Sequence, residues 1–160
     1  MDTDRRELVK TAMAGAAGMM AAELAMATAA QAQGGKVEPK FLQHEPLRSY
    51  AKACVFGNLI FLAGEDSKDP KTQDVLGKNS EEQTEILFQN MQKTLEALGS
   101  SLAHIIKTTT LLSDARHQPG YSKAKAKYLP HRPPGTSIAG VQLADPRMLV
   151  EIEAIAYIPG

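Results

Sequence analysis

The sequence predicts an α+β domain with one sheet and two helices on one of its faces. Three observations carry that prediction: a pair of short apolar runs around Gly57-Asn58, a helical stripe of Leu87, Met91, Leu95 and Leu98, and a closing segment that alternates cleanly. The 160-residue chain fits one such domain.

The first 32 residues read as an address rather than as part of the fold. Asp4-Arg5-Arg6-Glu7-Leu8-Val9-Lys10 matches a twin-arginine export signal, with Leu8 where Phe is frequent. A weakly apolar Ala/Met/Gly stretch follows from Thr11 to Ala29, interrupted by Glu23. Ala30-Gln31-Ala32 then supplies the small-x-small pattern of a cleavage site. The competing reading is an alanine-rich amphipathic helix. The signal reading predicts cleavage after Ala32, a periplasmic destination and no membrane association of the mature protein.

Residues 33–49 are polar and carry Gly34-Gly35, hence a flexible lead-in; the domain proper spans 50–160. Ala51–Phe56 and Leu59–Gly64 form a hairpin, because Gly57 and Asn58 both tolerate positive φ. Lys68–Lys78, with Asp69-Pro70 and Gly77, is a loop. Ser80-x-x-Gln83 reads as a capping box that opens the first helix, and Gly99 closes it. His104–Leu112 is β-branched and apolar, a strand. Pro119-Gly120 precedes a short basic helix ending at Tyr128, whose Lys123, Lys125 and Lys127 read as solvated. In the closing strand, Val150, Ile152, Ala154, Ala156 and Ile158 share a core face. The opposite face mixes Glu151 and Glu153 with Leu149, Ile155 and Tyr157, which suits a subunit interface with a polar site set into it. The element order is β-β-α-β-α-β-β.

Composition excludes several classes of function. Formal charge is balanced over the whole chain, and without residues 1–32 one positive charge is in excess. No basic field points to nucleic acid, and the absence of Trp argues against a base-stacking platform. Cys54 is the one cysteine, so an intrachain disulfide and a cysteine metal site are excluded; it reads as a small buried hydrophobe. His44, His104, His117 and His131 lack ligand spacing.

Four segments resemble a known family. Gly57-Asn58-Leu59-Ile60-Phe61-Leu62-Ala63-Gly64-Glu65, Glu82-Gln83-Thr84 with Asn90-Met91, Ile105-Ile106-Lys107-Thr108-Thr109-Thr110, and Val150-Glu151-Ile152-Glu153-Ala154-Ile155-Ala156 are similar to the reactive intermediate deaminase (Rid, or YjgF) family. The resemblance covers Tyr50 to Tyr157. It implies a chorismate-mutase-like fold, a homotrimer with clefts between subunits, and hydrolysis of imines or enamines to ketones and ammonia. No metal or organic cofactor is implied.

Active members carry an arginine in a P-A-R-[ST] motif, where its planar fork clamps the substrate carboxylate. Here the segment reads Pro133-Pro134-Gly135-Thr136-Ser137, and Thr136 takes the arginine's place. Ala63 stands for a serine, Glu65 for a glutamine and Ser122 for an asparagine, whereas Tyr50, Gly64 and Glu151 are retained. Glu151 is the catalytic candidate, since hydrolysis of C=N needs a positioned water and a proton acceptor. The bland alternative pairs it with backbone N–H groups or Lys107. Tyr50, Gly64, Thr136 and Ser137 are the substrate-binding candidates; packing for Tyr50, and an ordinary turn around Gly135, are the alternatives. Arg48, Arg132 and Lys107 are the cations available to replace the clamp. Three functions follow: a deaminase of shifted substrate choice, a non-catalytic trimer that binds a small molecule, or a structural trimer.

Overall fold

The computed structural model describes residues 36–44 and 48–160. The export signal assigned to 1–32 lies outside the described residues, as do 33–35 and 45–47 of the lead-in. Six strands, β1 (Lys40–Leu42), β2 (Ala53–Phe56), β3 (Leu59–Glu65), β4 (Ile105–Leu112), β5 (Gly135–Ala139) and β6 (Val150–Tyr157), form one sheet in the order β1-β2-β3-β6-β4-β5. All neighbours are antiparallel except β4 and β5, which run parallel across helix α2. Helices α1 (Ser80–Ala97) and α2 (Gln118–Tyr128) pack against each other. The two-helix α+β architecture agrees with the sequence. The added element is β1: part of the lead-in pairs with β2, Phe41 opposite Cys54. Its three residues are too few to announce a strand.

Local chemistry explains the boundaries. At the β2–β3 hairpin Gly57 takes φ 65° whereas Asn58 does not turn positive, the Gly-first arrangement of a type II′ turn. The N-cap of α1 is Asn79, one residue before the expected Ser80. Its side-chain oxygen accepts from the Glu82 N–H at 3.0 Å, and the Glu82 carboxylate accepts from the Lys78 N–H at 2.8 Å. Gly99 ends the helix at φ 73°, with the Ser100 N–H donating to Leu95 O at 2.8 Å and the Gly99 N–H to Glu96 O at 3.1 Å, a Schellman pair.

The expected helical stripe is buried, with Leu87, Met91 and Leu95 fully enclosed against Ile60, Ile105, Val150, Ile152 and Ala156 of the sheet. Each such side chain contributes about 1.5–3 kcal/mol by leaving water. Thr110 and Tyr121 share a buried hydrogen bond of 2.7 Å between β4 and α2. The lysines of α2 do not behave alike. Lys123 and Lys127 pair with Glu81 and Glu85 of α1, while Lys125 reaches down to donate to Thr108 Oγ1 at 3.0 Å. The solvated reading of Lys125 is therefore corrected: the helix sits close enough over β4 for its amine to find a hydroxyl.

Two side chains of α1 fix the segments around the site. Gln83, buried, donates to Arg147 O at 2.9 Å and accepts from the Leu149 N–H at 2.8 Å, setting the entry to β6. Asn90 donates to Lys68 O at 3.0 Å and holds the loop that follows β3. No described helix covers the other face of the sheet. Phe41, Phe61 and Ile138 stand exposed there, and Cys54 is half-buried among them rather than enclosed.

Candidate functional site

Strand β3 carries a bulge where it passes the centre of β6. Leu62 pairs with Ala154 and Glu65 with Ile152, so Ala63 and Gly64 together oppose the single residue Glu153. The bulge turns Glu65 toward the side of the sheet on which Ile152 is buried and brings the Gly64 backbone beneath Glu151. A Cβ on Gly64 would lie 2.0 Å from Glu151 Oε1, so the glycine makes the space that the carboxylate occupies.

Glu151 is half-buried and faces a cavity of about 170 Å³ formed with Gly64, Thr109, Leu111 and Glu153. None of the described residues donates a hydrogen bond to its carboxylate, and Lys107 bonds elsewhere. Burial raises the Glu151 pKa above its ordinary value; Asp66 and Glu153 add to the rise and Lys68 opposes it. Such a carboxylate has free lone pairs and enhanced basicity, the properties required to orient a water and accept its proton.

Thr136 lies on the same face as this cavity, one strand away: it pairs with Thr109, which pairs in turn with Glu153. Its Oγ1 accepts a 3.3 Å hydrogen bond from Lys107 Nζ. Ser137 is on the wrong side. Successive residues of a strand alternate, and Ser137 pairs with Thr110, whose side chain is buried under α2. It is not brought together with Glu151.

Tyr50 is likewise separate within one chain. Its hydroxyl accepts from Arg48 at 3.0 Å and its ring packs edge-on against His44. Arg48 also bonds the side chain of Gln73. Arg132 sits in an exposed turn at φ 52° and Ser122 on the exposed side of α2, neither in the Glu151 cavity.

Glu65 has a second environment, lined by His44, Arg48, Lys52, Lys68 and Gln73. The sequence marks Glu65 as a departure but not these companions, because they come from the lead-in, the residue before β2 and the loop after β3. Burial pushes its carboxyl up to about 7, against the pull of Lys52 and Arg48. Among the described residues no cluster of three or more His, Cys, Asp or Glu is arranged to hold a metal ion.

The family model for endoribonuclease L-PSP matches residues 42–158. The chain belongs to the endoribonuclease L-PSP family. A RutC family protein of Pyrococcus horikoshii is 34% identical over 113 residues, which cover 71% of this chain and 90% of the relative. An L-PSP crystal structure from Entamoeba histolytica superposes with a TM-score of 0.68 at 30% identity, covering 75% of this chain and 99% of that one. A more distant L-PSP relative is the 2-iminobutanoate/2-iminopropanoate deaminase of Dermatophagoides farinae, 23% identical over 73% of this chain and 91% of its own. L-PSP membership accords with the Rid/YjgF resemblance of the sequence.

The Glu65 carboxyl generates a test with a definite sign. Below its ordinary value of 4.5 the group is protonated in both folded and unfolded chains and makes no difference. Between 4.5 and about 7 the unfolded chain ionises first and stability falls; above about 7 the full penalty is present. Glu65→Gln should therefore raise stability at pH 8 by up to about 3 kcal/mol, with the gain gone at pH 4. Melting temperature against pH for both proteins checks this. A gain that does not vary with pH would contradict it.

Proposed function

We propose that the chain hydrolyses a small imine or enamine to a carbonyl compound and ammonia at the Glu151 cavity. The observation that carries this reading is the half-buried Glu151 carboxylate, with no donor among the described residues and Gly64 cleared from beneath it. An enamine substrate first takes a proton from solvent on carbon, which gives the iminium ion. Glu151 accepts a proton from water as the water oxygen bonds to the C=N carbon. That proton then goes to the nitrogen, and as the C–N bond breaks the hydroxyl proton passes by way of Glu151 to the departing ammonia, so iminium and water give carbonyl and ammonium. The deaminase among the relatives supports this class of chemistry.

A second reading, a trimer that binds a small carbonyl compound or carboxylate without turnover, is favoured by Thr136 at the arginine position together with Ala63 and Glu65. An ammonia-release assay over a panel of imines separates the two. Glu151→Gln should lower turnover by about 10²–10⁴-fold. Ammonia release from no substrate in the panel would favour the binder.

The uncovered face of the sheet supports a homotrimer. Phe41 at 58%, Phe61 at 41% and Ile138 at 45% exposure, beside half-buried Ile155, leave apolar surface that association would remove from water. Sedimentation should return three chain masses, and Ile155→Asp should dissociate them by placing an unpaired charge in the contact. A monomeric wild type at micromolar concentration argues against the assembly.

Arg5-Arg6 and Ala30-Gln31-Ala32 support twin-arginine export to the periplasm. The mature protein should begin at Gln33, and Arg5→Lys with Arg6→Lys should retain it inside the cell. Intact residues 1–32 on periplasmic protein, read by mass spectrometry, would count against export.

A further inference from the structure

We propose that the cavity beside Glu65 is a second ligand site, which takes a small oxyanion between the lead-in and the loop after β3. It lies on the other side of β3 from Glu151 and does not depend on the hydrolytic reading.

The cavity measures about 70 Å³, and His44, Arg48, Lys52, Glu65, Lys68 and Gln73 line it. One water needs roughly 10–15 Å³, so there is room for a few waters or for one carboxylate or tetrahedral anion. Backbone contacts fix its walls. The Lys52 N–H donates to Leu42 O at 2.7 Å and Lys52 O accepts from the Ala63 N–H at 3.1 Å, which ties Lys52 to β1 and β3. Lys68 bridges to Val75, and Asn90 holds its carbonyl. Gln73 takes φ 65°, left-handed backbone that is unfavourable for a residue with a side chain. Its amide donates to Pro70 O at 3.0 Å and its side-chain oxygen accepts from Arg48.

The charges around this space do not cancel. Lys68 is taken by Asp66 at 3.3 Å. The Arg48 guanidinium donates to two neutral oxygens, those of Tyr50 and Gln73. Among the described residues neither Arg48 nor Lys52 forms a salt bridge. Glu65 does not supply the missing anion. Burial pushes its carboxyl up to about 7 against the pull of Lys52 and Arg48, so the two cations stand too far off to outweigh burial.

His44 adds an unpartnered group. Its Nε2 is enclosed with no hydrogen-bond partner among the described residues, and burial, with Arg48 and Lys52, holds its pKa below the ordinary imidazole value. Two cations, a carboxyl hydrogen and an imidazole N–H all donate. An oxyanion accepts from each of them.

Occupancy follows the charge on Glu65. His44 and Arg48 of the lead-in, Lys52 before β2, Glu65 of β3, and Asp66 and Lys68 of the loop are the charged and titratable groups around the cavity. Between pH 6 and 8 Glu65 changes most. Its ionisation above about 7 sets a like charge against the ligand, so binding should weaken about tenfold from pH 6 to pH 8.

Calorimetric titration of the full chain with acetate and with sulfate, both anions across that range, tests the site. At pH 6, Lys52→Met should weaken binding about 10–100-fold and Lys52→Arg should keep it. Lys123→Met, on the exposed side of α2, should bind as wild type does. Glu65→Gln should remove most of the pH dependence, and the His44 imidazole resonance, identified by its loss in His44→Gln, should move with the anion. Acetate binding without sulfate identifies a carboxylate ligand, and the reverse a phosphate-like one. Binding of neither, equal binding by wild type and Lys52→Met, or a His44 resonance that stays still overturns the proposal.

Discussion

One close approach organises this molecule: the backbone of β3 runs beneath Glu151 with no room for a side chain between them. The bulge at Ala63 and Gly64 makes that approach possible and decides where the two neighbouring carboxylates go. Without the extra residue, Gly64 would pair with Ile152 and Glu65 would turn to the outer face. With it, Glu151 keeps the outer face and Glu65 turns to the other side, among His44, Arg48, Lys52 and Lys68. Burial raises both carboxyls, and β3 keeps them in separate environments.

The chemistry of the outer face follows from its charges. Glu151, Glu153 and Lys107 are fixed by the register of β4 and β6, and Thr136 by its parallel pairing with Thr109. An arginine at position 136 would put a planar cation in the same row as Glu153. Threonine removes it, and the Lys107 ammonium, rising from two residues back along β4, donates to the Thr136 hydroxyl in that row.

Much of this was legible in the sequence, for reasons of period and backbone geometry. The alternation of Val150 to Ile158, the stripe through Leu87 and Leu98 and the breaks at Gly57 and Gly99 depend on neighbours a few residues apart, and the structure has them as read. Glu151 and Gly64 were legible because their motifs are. The misses have different causes. Asn79 and Ser80 are both good caps, and only the geometry of Glu82 chooses between them. Ser137 was grouped with Thr136 by proximity in the chain, although adjacent strand residues face opposite ways. The companions of Glu65 and the Lys107–Thr136 contact join segments far apart in sequence, and no local pattern records which strands become neighbours or in what register.

Everything on the outer face turns on Glu151 being an unpaired carboxylate, raised in pKa by burial and available to a water or a ligand. Carboxyl ¹³C NMR of protein labelled at glutamate, with the Glu151 resonance identified by its loss in Glu151→Gln, tests that claim most directly. The titration midpoint of Glu151 should lie above the ordinary glutamate value of 4.5. A midpoint at or below that value would show that a hydrogen-bond donor or a cation already holds the carboxylate, and that it is not free to take up a water's proton.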